Sequence, residues 1–192
     1  MTGGRLAGRR LQSPSGRAVR PSSDRVRESL FARLGDLEGA DVVDLFAGTG
    51  ALGIEALSRG AASAVFVERA SAPLTCLQGN LERLGLGDQA RILRSEVSEA
   101  IRRLGRAGSR FHLVLMDPPY GPELATEALR EVASCGILAP GGTLVIEASR
   151  RHPPGDVEGL RRLDDRLHGD TIVVRFEAMS FSGSRPAAGQ GG

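Results

Sequence analysis

Along most of the chain, short apolar runs alternate with segments in which apolar residues recur at helical spacing. The runs have the length and composition of buried strands, at 42–46, 64–68, 91–94, 112–117 and 143–147. The segments between them predict helices at 51–59, 72–84, 97–104 and 123–134. Strands that alternate with helices of this length predict a parallel, doubly wound sheet.

The two ends of the chain depart from this alternation. Before the first strand, an apolar stripe predicts a helix that runs to Leu34, formed by Val26, Leu30, Phe31 and Leu34. After the last parallel strand, residues 160–167 and 171–178 flank a turn and predict an antiparallel hairpin. A seven-stranded, mostly parallel α/β sheet with such an edge hairpin is typical of Rossmann-like class I methyltransferases.

The first strand leads into a glycine-rich turn. Gly48, Gly50 and Gly53 have the G-x-G-x-x-G spacing that lets a backbone approach a ligand and a helix pack closely on a strand. Glu68, at the tip of the next strand, is placed to bind ribose hydroxyls. Asp44 indicates the ligand, because a pyrophosphate needs N–H donors, whereas S-adenosylmethionine carries an α-ammonium and a sulfonium. The turn therefore predicts an S-adenosylmethionine site.

Four acidic residues follow or end the predicted parallel strands. Because ligands bind beyond the carboxyl ends of such strands, we expect the four to converge at one rim: Asp44, Glu68, Glu96 and Asp117. The candidate cofactor-binding residues are Asp44, Phe46, Ala47, Gly48, Thr49, Gly50, Gly53, Glu68, Arg69, Glu96 and Val97.

The sequence Asp117-Pro118-Pro119-Tyr120 ends the fourth apolar run. Two prolines fix two φ angles and remove two N–H donors, so the turn is rigid and rich in acceptors. The Asp117 carboxylate and the Pro118 carbonyl are placed to hold the hydrogens of an exocyclic amine, with its lone pair towards the sulfonium methyl. Tyr120 can stack on a flipped-out base. We interpret these four residues as a catalytic turn that needs no metal.

Positive charge is concentrated near the N-terminus. Residues 1–33 hold eight arginines and two acidic residues, whereas the net charge of the whole chain is +2. A basic arm on a mildly acidic body is typical of a nucleic-acid contact. We expect residues 5–11 and 16–20 to pair as a hairpin, and RNA to be bound by Arg5, Arg9, Arg10, Arg17, Arg20, Arg25 and Arg27.

The expected organisation is a basic RNA-binding extension (1–35), a methyltransferase domain (36–182) and a disordered tail (183–192). Apolar stretches are shorter than the roughly 20 residues of a membrane span, and the basic N-terminus lacks the apolar segment of a secretory signal. Cys76 and Cys135 have no metal-like spacing and are expected to be free thiols. We therefore expect a cytoplasmic monomer without a membrane partner.

Three motifs together resemble one family. They lie at Arg20–Phe31, Asp44–Gly60 and Asp117–Tyr120, within a similarity that extends over roughly residues 3–178. The chain is similar to the bacterial 16S ribosomal RNA guanine-N2 methyltransferases, which modify one guanine in an rRNA hairpin loop. The resemblance implies cofactor contacts from Asp44, the glycine-rich turn, Glu68 and the strand tip near Glu96. It also implies amine contacts from Asp117 and Pro118, stacking by Tyr120, and small-subunit rRNA as partner, either as free RNA or within the assembling 30S subunit.

Other functions use parts of the same pattern. A methyltransferase acting on adenine N6 or another exocyclic amine of DNA or RNA would share the cofactor site and the Asp117 turn. Asp44 and the terminal hairpin disfavour an NAD-linked oxidoreductase. The intact Asp117–Tyr120 turn disfavours an RNA-binding ribosome assembly factor without activity. Methyl transfer to guanine N2 in 16S rRNA is the leading hypothesis.

Overall fold

The computed structural model describes residues 1–14, 21–119 and 122–179. Helix α1 (Pro21–Leu34) precedes an alternating series of strands and helices. The series is β1 (Asp41–Asp44), α2 (Ala51–Ser58), β2 (Ser63–Val67), α3 (Ser71–Leu84), β3 (Ala90–Leu93), α4 (Val97–Arg106), β4 (Phe111–Met116), α5 (Pro122–Cys135), β5 (Leu138–Ser149), β6 (Leu160–His168) and β7 (Thr171–Ala178). Most predicted ends differ by one or two residues; the largest difference is that β5 begins at Leu138 rather than at 143.

The seven strands form one sheet in the order β3-β2-β1-β4-β5-β7-β6. Strands β1 to β5 pair in parallel, and β7 lies antiparallel between β5 and β6. The predicted seven-stranded, mostly parallel sheet with an antiparallel hairpin is therefore confirmed. Strand order reverses between β1 and β4, and open α/β sheets bind ligands at the carboxyl ends of the strands beside such a reversal.

Both faces of the central strands of the sheet are buried, whereas the edge strand β6 is mostly exposed. Val42 contributes to the core on one face and Val43 to the core on the other, as alternation along a strand requires. Helices α1, α2 and α3 cover the first face, and α4 and α5 cover the second. Burial on both sides explains why the strands appear in the sequence as continuous apolar runs.

The end of α1 is bound to the terminal hairpin by charged side chains. Asp164 on β6 forms ion pairs with Arg33 on α1 and Arg175 on β7. The Nη1 group of Arg175 also donates a hydrogen bond of 2.7 Å to the carbonyl oxygen of Arg33. The hydrogen bonds from Arg175 and Arg33 hold the pKa of Asp164 at about 2. We call these three residues the arginine clasp.

Residues 1–14 lie against α2 and α3 and contain a 3-10 turn at Gly4–Leu6 but no strand. Leu6 and Leu11 pack against the core on the α1 side of the sheet. The expected hairpin is therefore wrong in its first half, because these leucines pack on the body of the protein rather than across a second strand. Its second half, 16–20, lies outside the described residues, as does the expected tail at 183–192.

Buried polar side chains on the helices hold this N-terminal segment. The backbone N–H of Thr2 donates to Oε2 of Glu55 (2.9 Å), and that of Gln12 donates to Oδ1 of Asn80 (2.7 Å). Glu55 and Asn80 are both fully buried. The segment thus satisfies backbone groups through side chains of α2 and α3, which replaces the ladder that a hairpin would have formed. In the described part of the chain, no helix combines the length and apolar composition needed to cross a membrane.

Candidate active site

Two glycines set the shape of the turn between β1 and α2. Gly50 has a φ of +88°, and a Cβ atom there would lie 2.5 Å from Cδ1 of Leu77. A Cβ atom on Gly53 would lie 2.4 Å from the ring of Phe66 on β2. Because real side chains do not approach this closely, only glycine lets α2 pack at this distance from the sheet. The result is a tight turn whose backbone borders the carboxyl end of β1.

Asp44 ends β1 beneath this turn and is 1% exposed. Its Oδ2 accepts the backbone N–H of Gly53 (2.9 Å), whereas its Oδ1 has no hydrogen-bond partner among the described residues. Burial is the main reason that the pKa of Asp44 rises to about 7. A buried carboxylate oxygen without a partner fits a cationic ligand group, and the α-ammonium of S-adenosylmethionine is such a group.

Glu68 follows β2 and fixes the other side of the turn. Its Oε2 accepts the N–H of Gly48 (2.9 Å), and its Oε1 accepts the N–H of Ala70 (2.7 Å). A carboxylate oxygen can accept more than one hydrogen bond, so both oxygens keep capacity for a ribose hydroxyl. Glu68 therefore both orders the glycine-rich turn and suits the ribose-binding position expected from the sequence.

Asp117 follows β4, the strand next to β1. Asp44 is in register with Leu115, which places Asp117 two residues further along the neighbouring strand. The Asp117 side chain is open to solvent on one side, yet the protein atoms on its inner side desolvate the carboxyl group and raise its pKa to about 6. The charges of Asp117 and Glu68 both raise the pKa of Asp44, so these three acids share one rim.

Residues 1–177 match the model of the family described as conserved hypothetical protein 95. The chain belongs to this family. It is 38% identical over 147 residues to ribosomal RNA small subunit methyltransferase D of Escherichia coli, covering 76% of this chain and 72% of that protein. It is 32% identical over 181 residues to Bacillus subtilis YlbH, which is named as an rRNA methyltransferase. That alignment covers 94% of this chain and 93% of YlbH. The solved structure of Escherichia coli YhhF, named as a methyltransferase, superposes with a TM-score of 0.82 at 32% identity and covers 92% of this chain and 95% of that one.

These comparisons confirm the class I methyltransferase fold and the predicted type of enzyme, an S-adenosylmethionine-dependent methyltransferase. In this methyltransferase the rest of the predicted catalytic turn is only partly visible. Pro118 is half-buried and Pro119 is exposed beside Asp117. Tyr120 lies outside the described residues, so its stacking role stays a prediction.

The structure adds an acid that the sequence analysis did not single out. Glu147 lies on β5, directly after the pair formed by Met116 and Ile146, and is therefore next to Asp117. Burial raises the pKa of Glu147 to about 8, together with the charges of Asp117 and Asp44 and against that of Arg27. The signal was present in the sequence, because Glu147 ends an apolar run as Asp117 does. Only the strand order shows that these two acids are neighbours.

The fourth acid of the predicted rim, Glu96, is paired with an arginine that also interacts with the charge of Glu68. Glu96 precedes α4 and forms an ion pair of 2.8 Å with Arg69, and both side chains are exposed. Val97 begins α4 and is half-buried. Phe46 and Ala47 belong to the turn after β1, where the Ala47 N–H donates to the carbonyl oxygen of Val67 (3.0 Å). The cofactor roles of these residues stay predictions.

The predicted RNA-binding arginines divide into three groups. Arg5, Arg9 and Arg10 are exposed on the N-terminal segment, and Arg25 is exposed on α1. Arg17 and Arg20 lie outside the described residues. The exposed arginines keep charge available for phosphates on the side of the molecule that carries the N-terminal segment.

Arg27 is the exception, because it is only 7% exposed. Its guanidinium pairs with Asp24 (2.7 Å) and lies 3.4 Å from the buried Glu55. Arg27 lies three residues before Leu30 and four before Phe31, so it shares the buried face of the helix with them. The expectation that it reaches RNA from an outer surface is therefore wrong. It instead contributes positive charge near Glu147.

Proposed function

We propose that this methyltransferase transfers a methyl group from S-adenosylmethionine to the exocyclic N2 amine of a guanine in 16S rRNA. The observation that carries the proposal is the placement of two acids at the carboxyl ends of adjacent strands. Asp44 offers a buried oxygen without a partner, and Asp117 lies next to it at the open edge. Relatives named as small-subunit rRNA methyltransferases support rRNA as the substrate.

The cofactor supplies an already activated methyl group on a sulfonium, so the protein contributes mainly binding and positioning. Asp44 binds the α-ammonium through Oδ1, while its Oδ2 stays bonded to Gly53. Glu68 accepts the ribose hydroxyls, and the segment around Glu96 and Val97 borders the adenine. These contacts direct the methyl group towards Asp117.

The Asp117 turn prepares the amine for attack. A guanine N2 amine is a weak nucleophile because its lone pair is delocalised into the ring. The Asp117 carboxylate and the Pro118 carbonyl accept its two hydrogens and turn the lone pair towards the methyl group. As the N–CH3 bond formed, the S–CH3 bond of the cofactor would break and leave a neutral thioether; the amine would become cationic, and Asp117 would accept the proton that it releases. The reaction needs an ionised Asp117, which its pKa of about 6 permits at neutral pH.

RNA approaches over the N-terminal segment and α1. Arg5, Arg9, Arg10 and Arg25 are exposed there and supply phosphate contacts, with Arg17 and Arg20 proposed to do the same. We further propose that the protein is a monomer and that it acts on the assembling 30S subunit. Because ribosome assembly in bacteria takes place in the cytoplasm, we propose a cytoplasmic location.

The decisive experiment is mass spectrometry of small-subunit rRNA digests from cells with and without the gene. We expect one N2-methylguanosine to disappear in the deletion strain and to return with a plasmid copy of the gene. An unchanged N2-methylguanosine with a missing N6-methyladenosine would instead identify the adenine-specific alternative. If neither nucleoside changes, small-subunit rRNA is not the substrate.

A further inference from the structure

Three carboxyl groups lie at one edge of the sheet: Asp44 ends β1, and two residues further along are Asp117, just after β4, and Glu147 on β5. These strands are adjacent in the sheet, and Met116 pairs with Ile146, so Asp117 and Glu147 follow as neighbours. Met116 and Ile146 both face the α4–α5 side. The residues after them therefore face the α1 side, to which Asp44 also belongs by alternation with Val43.

A cross-strand pair supports this orientation of Glu147. Glu147 is paired with Val173 on β7, and Val173 belongs to the core on the α1 side. Side chains of paired residues lie on the same face of a sheet. Arg27, from the helix that covers this face, is close enough to stabilise a negative charge on Glu147. Glu147 is half-buried, so part of its surface is accessible to a ligand at the carboxyl edge of the sheet.

The order of the three acids matches the order of groups on a guanine. If Asp44 binds the cofactor and Asp117 binds the amine, Glu147 lies on the side of Asp117 away from the cofactor. On guanine, the atom next to the N2 amine on the base-pairing edge is N1, which carries a hydrogen. Adenine and 2,6-diaminopurine have no hydrogen on N1, where a lone pair faces outward instead.

We propose that Glu147 is a specificity-determining residue that accepts a hydrogen bond from N1–H of the target guanine, while Asp117 holds the neighbouring N2 amine. The inference rests on the proposed guanine-N2 activity and adds the group that separates guanine from other purines with a 2-amino group. A site built to pair with a donor rejects an analogue that lacks it, because buried acceptors are then left unsatisfied. Asp117 alone cannot make this distinction.

The test uses two RNA hairpins that differ only in the target base, guanine or 2,6-diaminopurine. Both bases carry the reacting 2-amino group, but only guanine has a hydrogen on N1. The measured quantity is the ratio of kcat/KM for the two RNAs at about pH 9, above the pKa of about 8 of Glu147, where its carboxylate can only accept a hydrogen bond. We expect the unaltered enzyme to prefer guanine by about 5- to 150-fold, the range typical of one base distinguished by well-placed hydrogen bonds. If the unaltered enzyme methylates both RNAs equally, N1–H is not recognised and the proposal fails.

Substitutions then assign the preference to one side chain. Glu147→Ala should bring the ratio to within a few-fold of one, mainly by slowing methylation of guanine. Glu147→Gln offers an N–H donor as well as an acceptor oxygen, so it can bond to N1 of either base and should lower the ratio as Glu147→Ala does, with a smaller loss of rate on guanine. Glu158→Ala, which changes an exposed glutamate, is the matched control and should leave the ratio unchanged. A preference that survives in Glu147→Ala overturns the assignment to Glu147, and a purified enzyme that methylates neither RNA argues against the guanine activity itself.

Discussion

The side-chain amide of Asn80 donates a hydrogen bond of 3.0 Å to the carbonyl oxygen of Thr49, in the glycine-rich turn. The same amide donates to the carbonyl oxygen of Gln12 (3.1 Å), and its Oδ1 accepts the N–H of Gln12 (2.7 Å). Asn80 is fully buried on α3. One side chain therefore joins the turn that borders the cofactor site to the segment that carries the exposed arginines.

We expect Asn80→Ala to destabilise the protein and weaken cofactor binding. The substitution leaves backbone groups of Thr49 and Gln12 without partners, at a cost of about 2 kcal/mol or more in the free energy of unfolding. The turn is also less fixed, so the Kd for S-adenosylmethionine should rise several-fold. Urea denaturation and isothermal titration calorimetry measure the two effects. Gln12→Ala is the control, because Gln12 bonds to Asn80 through its backbone and the substitution keeps these bonds. An unchanged Kd in Asn80→Ala would show that Asn80 does not influence the cofactor site through the glycine-rich turn.

Asp44 should make cofactor binding depend on pH. In the unfolded chain an aspartate ionises near pH 4, whereas folded Asp44 keeps its proton up to about pH 7. The folded free enzyme thus binds more protons over this interval, so the contribution of Asp44 to stability is present below about pH 4 and is lost as pH rises through 7. A bound ammonium favours the ionised form, so affinity should increase between about pH 5.5 and 7.5.

Asp44→Asn should remove this dependence. The variant cannot ionise, so its free enzyme should lose less stability with rising pH than the unaltered protein does. Its affinity for S-adenosylmethionine should fall by about 10- to 100-fold at pH 7.5 and vary little with pH. Isothermal titration calorimetry at four pH values tests the statement on affinity, and urea denaturation at the same pH values tests the statement on stability. Equal affinities of the two proteins at pH 7.5 would show that Asp44 does not bind the ammonium.

Asp117→Ala should reduce the methylation rate by at least about 100-fold and leave cofactor affinity within a few-fold. The side chain touches the target amine and not the cofactor in the proposed arrangement. In the unaltered enzyme, kcat should fall as pH drops below about 6, where Asp117 takes up a proton. Single-turnover methylation with radiolabelled cofactor measures the rate, and Asp170→Ala, at an exposed hairpin turn, is the control. A variant that keeps most of its rate would contradict the amine-holding role.

Replacing Arg5, Arg9 and Arg10 with alanine should weaken RNA binding and its dependence on salt. If each arginine contacts one phosphate of duplex-like RNA, the slope of log K against log salt should become less steep by about 2.7. Filter binding of an rRNA hairpin at several salt concentrations gives the slope. The matched control replaces three exposed arginines on the opposite side of the sheet, Arg103, Arg106 and Arg130. Equal slopes for the two triple variants would show that the N-terminal segment does not contact the RNA backbone.

The sequence was sufficient for the features that depend on local pattern. Strands buried on both faces appear as apolar runs, and the glycine spacing predicted the close approach seen at Gly53 and Phe66. Asp44 was recognised because a carboxylate in such a turn suits a cation rather than a phosphate. These inferences need only residues close together in the chain.

The features that were missed depend on distant partners. The N-terminal segment is shaped by Ser58 and Asn80, more than fifty residues away, so its alternating leucines and arginines resembled a hairpin. Arg27 was assigned outward from its charge, although Glu55 supplies a buried partner for it. Glu147 becomes part of the site only because β5 lies beside β4.

The arginine clasp has a consequence for the newly made chain. Arg33 leaves the ribosome more than a hundred residues before Asp164 and Arg175, which complete its contacts. Apolar residues near the end of α1 pack in the core, but its charged contacts must await synthesis of the final hairpin. The charged contacts between the earliest and latest segments can form only after β6 and β7 have been synthesised, so a chain interrupted before β6 leaves Arg33 without these partners.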